Sequence, residues 1–332
     1  MSRATRAFCA AAVGLALACQ GLAAEWYVRT DGSDASNGAS WATAFATISN
    51  AVAQAALQND TIWVSNGTYS VTQEIILGKA VSIIGTNGAA VTTVAGPGSG
   101  NVRVFRITTN AVLKGLAITG GYRSDYGAGV WMTTGIVENC IIVSNRCYAA
   151  GGSFGTVWAA GIRMDGGIVS NCTIVSNTVS GGYNITWGHA GGLYVGNGAV
   201  RNCRIMENSV DCNNNNAGGG VFLAGGLVEN CLIVRNNLLG NPAGPDFRRG
   251  GGGGVKIRGG TLRNCTIADN TASNHPGSGV RQFGGTIQNC IVYFNAGAPV
   301  DLARTEESGG DIAYSCCPQL ALGGGNNTLD PR

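Results

Sequence analysis

Between residues 135 and 295 the apolar and polar positions repeat as one unit written six times: GIVENCIIVSN (135–145), GGIVSNCTIVSN (166–177), GAVRNCRIMEN (198–208), GGLVENCLIVRN (225–236), GGTLRNCTIADN (259–270) and GGTIQNCIVYFN (284–295). Apolar residues alternate on either side of one asparagine, so Val228, Cys231 and Ile233 share a face while Glu229 and Leu232 point away. A period of two marks strands, and the break in phase at the asparagine predicts two short strands meeting at a one-residue corner. Such a corner needs φ > 0, which glycine adopts without strain and asparagine tolerates better than most side chains. Asn139, Asn171, Asn202, Asn230, Asn264 and Asn289 are therefore read as corners. Cys140, Cys172, Cys203, Cys231, Cys265 and Cys290 are read as a row of inward residues behind them. The segment LKGLAI (113–118) extends the series, with Gly115 in the asparagine slot and Leu116 in the cysteine slot. A third strand precedes each unit, as in GGVFLAGG (219–226) and GGVKIRGG (253–260).

The cysteines recur at steps of 32, 31, 28, 34 and 25 residues, the added length lying in the Gly-rich stretch before the next unit. Three short strands per turn, with insertions at one corner, describe parallel strands coiled on their own preceding turn at about 4.8 Å per rung. On these residues the chain resembles the right-handed parallel β-helices of the pectin-lyase-like superfamily, which implies an all-β solenoid. Its repeated NC pairs also resemble bacterial surface proteins of the polymorphic outer-membrane-protein and choice-of-anchor Q types. The resemblance implies a capping strand and short helix within residues 26–69, where Phe45, Ile48 and Val52 have helical spacing and would cover the open apolar end of the first coil. The expected organisation is a signal peptide (1–24), a cap and first coil (25–70) and the β-helix proper (71–332).

Export is read from Arg3 and Arg6, the apolar run Phe8 to Cys19 and the small-residue exit Gly21 to Ala24. That run is too short to cross a bilayer, so a secreted or cell-surface protein without a transmembrane helix is expected. The ending GGGNNTLDPR (323–332) offers nothing to cover the last coil, and uncovered strand edges pair, so an end-to-end contact or a continuation is expected there.

Charge narrows the partners. Lys+Arg number 21 and Asp+Glu 18, together 12% of the chain, about half the roughly 25% of an average globular protein. Losing Arg3 and Arg6 leaves 19 basic against 18 acidic residues, which excludes a nucleic-acid binder held by a basic field. Of the ten cysteines past residue 24, six sit in the repeating slot, and Cys316 is expected to continue the row with Ser315 at the corner. A buried stack of thiols and bridges between neighbouring rungs are both open readings. Cys147 and Cys212 lie off the row. A single file does not surround an ion tetrahedrally, so no metal site is expected.

If Val130, Ile162, Leu193, Val221, Val255 and Val280 face inward, then Trp131, Arg163, Tyr194, Phe222, Lys256 and Arg281 form an outward row of three aromatics and three cations. The family resemblance implies that this strand face is a polysaccharide groove. Rings could stack on sugar faces and cations could pair with uronate carboxylates, one rung per sugar. A polysaccharide or a surface protein is the expected partner, with an adhesive or structural repeat protein and a polysaccharide lyase acting on uronate polymers as the alternatives.

Lyases of the family imply calcium-binding carboxylates and a basic residue, and hydrolases imply paired Asp. Here Asp165 is the one carboxylate on the face, with Arg163, Lys256 and Arg258 as the remaining catalytic candidates. No cofactor is expected, and calcium only for a lyase. Asp125, Asp246, His189 and His275 sit in loops beside the face, the histidines expected as solvated turn residues.

Overall fold

A computed structural model describes residues 23–55, 59–149, 156–181, 187–212, 215–240, 250–273, 275–297, 300–304, 310–318 and 326. The expected signal segment except its last two residues, Asp246 and most of the tail lie outside them. The chain winds as the parallel β-helix that its repeat predicts, and every strand pairs in parallel with its equivalent one turn away. A first wall of eleven strands runs from Glu25–Val28 to Asp311–Ala313, and a second of nine from Gly67–Ser70 to Ile291–Tyr293. A third wall of nine strands runs from Ile75–Leu77 to Leu302–Arg304. Helix α1 (Ile48–Gln54) lies at the start, Ile48 and Phe45 buried and Val52 packed on the core.

The registers stack like on like inside the coil. Val137, Val169, Val200, Val228, Leu262 and Ile287 form one fully buried file along the first wall. The six corner asparagines have φ between 51 and 55° and Gly115 has φ 66°, as the phase break requires. All six cysteines behind them are buried free thiols. The last rung differs from expectation. Tyr314 takes the corner (φ 52°), Ser315 takes the cysteine slot and its hydroxyl accepts from the Cys290 amide at 3.2 Å, and Cys317, not Cys316, is the buried thiol.

A second asparagine of each unit does different work. Asn145, Asn177, Asn208, Asn236, Asn270 and Asn295 form a ladder in which each side-chain amide donates to the carbonyl oxygen of the next at 2.9–3.0 Å. The same amides donate to backbone carbonyls inside the corner, as Asn236 does to Ile205 and Val234. This ladder explains the glycine that opens each third-wall strand. A Cβ on Gly129, Gly161, Gly192, Gly220, Gly254 or Gly279 would meet a ladder amide at 2.6–3.0 Å, closer than packed atoms approach.

The insertions are also ordered. Six short strands from Tyr122–Arg123 to Thr271–Ala272 continue beyond the ladder, and Thr156–Trp158, Trp187–His189 and Asn215–Ala217 stack as a separate three-stranded sheet. Between these two layers lies a small second core that includes Cys147, Val179, Val210, Cys212 and Leu238.

Candidate functional site

The third wall turns one residue per rung outward, in register: Ile76, Arg106, Trp131, Arg163, Tyr194, Phe222, Lys256 and Arg281. Their strand neighbours Val130, Ile162, Leu193, Val221, Val255 and Val280 are fully buried, so the inward and outward phases are those read from the sequence.

The row divides into two halves. Trp131, Arg163 and Tyr194 are half-buried and Ile76 is exposed, whereas Phe222, Lys256 and Arg281 are only 2%, 2% and 8% exposed. The inserted sheet covers Phe222, the first residue of the second half. Ala159, Ala190 and Ala217 pack on Phe222, and the rings of Trp158 and His189 lie 5.7 and 4.9 Å from it. The Lys256 ammonium sits between the Phe222 and Phe283 rings, 5.3 and 4.9 Å from their centres. The face expected to be continuous is therefore open from Arg106 to Tyr194 and covered beyond.

Within the open half, rings and cations stack along the coil axis. The Arg103 and Arg106 guanidinium carbons lie 5.1 and 5.2 Å from the Trp131 ring centre. Arg163 lies between Tyr126, at 4.3 Å, and Tyr194, at 5.3 Å, and the Tyr194 ring centre is 5.6 Å from that of Phe222. The faces of Trp131, Tyr126 and Tyr194 are thus occupied by guanidinium groups of this chain. Ring edges, which carry the positive part of the aromatic quadrupole, are what remains for a ligand. The expected stacking of rings on sugar faces gives way to a strip of guanidinium and ring edges, suited to an anion.

Carboxylates around the strip are held by this chain's own donors. Asp165 accepts from Arg163 Nε at 3.2 Å and from Trp131 Nε1 at 2.8 Å. Glu74 binds Arg103 at 2.5 Å and Arg106 at 2.6 Å. Arg103 is almost fully buried and also donates to the Gly127 and Tyr126 carbonyls at 2.8 Å, which fixes the Tyr126 ring edge-on to Trp131. Burial draws the Arg103 pKa down, against the pull of Glu74. For Asp125 burial alone would raise the carboxyl, but hydrogen bonds from Arg123 at 2.7 and 2.6 Å and from the Tyr126 amide hold it below its usual range. Asp125 therefore serves its own loop and makes no pair with Asp165.

Both histidines are buried, not solvated. His189 lies 4.4 Å from Trp158 and 5.7 Å from Trp187, and burial, then Lys256 and Arg258, hold its pKa well below the ordinary value. His275 is lowered to about 4 by burial and then Lys256, and neither ring nitrogen has a hydrogen-bond partner among the described residues. Of the catalytic candidates, Asp165 and Arg163 are bound to each other, Lys256 is covered three rungs away, and Arg258 is exposed beside it. They do not converge. Among the described residues no group of three or more His, Cys, Asp or Glu side chains is arranged to hold a metal ion.

Sequence reading missed Arg106, Arg103, Glu74, Tyr126 and Trp158. The signal for Arg106 was present, since Phe105-Arg106-Ile107 has the same apolar, outward, apolar order as Val130-Trp131-Met132.

No family model and no curated protein matches the chain. Solved structures similar to it include three proteins. A rhamnogalacturonan lyase is 14% identical, covering 88% of this chain and 87% of its own, with a TM-score of 0.44. The pectate lyase Pel9A is 17% identical over 90% and 76%, with a TM-score of 0.49. A pectin methylesterase mutant in complex with a hexasaccharide is 10% identical over 94% of each chain, with a TM-score of 0.41.

Proposed function

We propose that this is an exported or cell-surface β-helix protein that holds an extended acidic polysaccharide along the open half of its third wall, from Arg106 to Tyr194. The supporting observation is the Arg163 guanidinium. Its Nε–H serves Asp165, its two faces lie against Tyr126 and Tyr194, and its terminal N–H groups serve no described residue. A guanidinium edge held in this way is pre-organised for a carboxylate. Binding without turnover fits the remaining geometry, because the candidate acid is neutralised by its own strand neighbour and the buried lysine is out of reach of it.

Retention on immobilised polygalacturonate or alginate tests the proposal, with Arg106→Ala and Arg163→Ala as variants. Exposed ion pairs contribute about 0.2–1 kcal/mol each, so each variant should weaken binding by up to about 5-fold, and the double variant should abolish retention at moderate salt. Unchanged retention by the folded double variant would leave the structural or adhesive repeat as the better reading.

A further inference from the structure

Resting on the binding face just described, we infer that the acidic polymer it takes carries its anionic group on every second sugar, with uncharged sugars between. The inference comes from the order of residues along the open half. Arg106, Trp131, Arg163 and Tyr194 stand on four successive rungs in strict register, cation, ring, cation, ring. Cations therefore recur every two rungs, about 9.6 Å at the strand spacing, a distance close to the length of a disaccharide.

The intervening rungs do more than lack a cation. The outward polar group of the Trp131 rung, the indole N–H, is already donated to the Asp165 carboxylate. Asp165 is itself paired with Arg163 on the neighbouring rung, so the Trp131 rung presents a ligand with neither a cation nor a free indole donor. A homopolymeric uronate laid along the strip would bring every second carboxylate onto a ring rung with no cation in the outward row to meet it. A polymer with neutral sugars at alternate positions avoids that contact. Discrimination then comes from the cost of desolvating an unpaired carboxylate at the ring rungs as well as from attraction at the arginine rungs. The next outward positions agree, since Thr133 beside Trp131 and Gly196 beside Tyr194 are both uncharged.

The arginines are also set to read spacing. Arg106 is anchored by Glu74 and packed on Trp131, and Arg163 is held by Asp165 and two tyrosines. Neither side chain is free to follow a ligand of another period.

The test compares oligosaccharides of equal length by calorimetry at one salt concentration. The alternating probes are hyaluronan and unsulfated chondroitin, and the homopolymeric probes are polygalacturonate and polymannuronate. The wild-type protein should bind at least one alternating probe about 10-fold tighter, per carboxylate, than either homopolymer. Homopolymers binding as tightly as or more tightly than both alternating probes, with Arg106→Ala and Arg163→Ala still weakening them, would overturn this inference and leave the binding face intact. Binding to none of the four, or binding indifferent to both arginines, would overturn both.

Discussion

Two asparagines in one repeat look alike on paper and differ in what they cost to lose. Asn230 is a corner residue with φ 53° and an exposed side chain; glycine meets that backbone requirement, so Asn230→Gly should change stability by less than about 1 kcal/mol. Asn236 is buried, donates to Ile205 and Val234 and accepts from the backbone and side-chain amides of Asn208. Asn236→Ala strands several buried polar groups at about 1–3 kcal/mol each, and should destabilise by about 3–5 kcal/mol in urea unfolding. Equal effects of the two substitutions would mean that the ladder is not structural. The corner was legible in the sequence because φ > 0 restricts residue choice. The ladder was not, because its evidence lies in a different strand: a glycine in every turn opposite the asparagine, visible only once the rungs are stacked. Gly220 shows the link, as its Cβ would meet the Asn236 side chain and the Gly254 carbonyl oxygen, each at 2.8 Å.

At the scale of elements, strand phase and rung register could be read from alternation alone, since a slip of one residue would turn every cysteine outward. The inserted segments could not. Their Gly-rich composition reads as loop, and what orders them is stacking on the same insertion in the next turn, as Trp158, His189 and Ala217 do. That stacking buried His189 and His275 where solvated turn residues were expected. Burial has a pH signature. His275 titrates near 6.5 when unfolded and at about 4 when folded, so between these values the unfolded chain binds more protons and stability falls as pH drops. The full loss for this residue is about 3 kcal/mol, spread over that window. Urea midpoints at pH 7.5 and pH 4.5 should differ more for the native sequence than for His275→Gln; equal differences would contradict burial of the neutral ring.

Across the whole molecule the interior is a prism lined by files of like residues. The cysteine file is its chemical marker. Hydrogen bonding to Cys140 and Cys203, together with burial, pushes the Cys172 thiol well up, and burial puts Cys147 and Cys212 at about 12. Hydrogen bonds within the file instead lower Cys203 and Cys290, but reaction also needs access and nine of the ten thiols are buried, so the chain from Glu25 onward should show almost no reactive thiols when folded and ten in denaturant without reductant. Fewer than ten would establish bridges between rungs.

The exterior is where composition misled. Three aromatics and three cations suggested one long groove, but Phe222 lies beneath the inserted sheet and Lys256 and Arg281 are buried beyond it. The open remainder, with Arg106 added, is the part that a polymer can reach. Hydroxyl-radical footprinting with and without a bound acidic oligosaccharide tests this most directly. Protection should concentrate at Tyr126, Trp131 and Tyr194, with Trp41 at the capped end unaffected. Protection on another wall, or none at saturating ligand, would contradict the account.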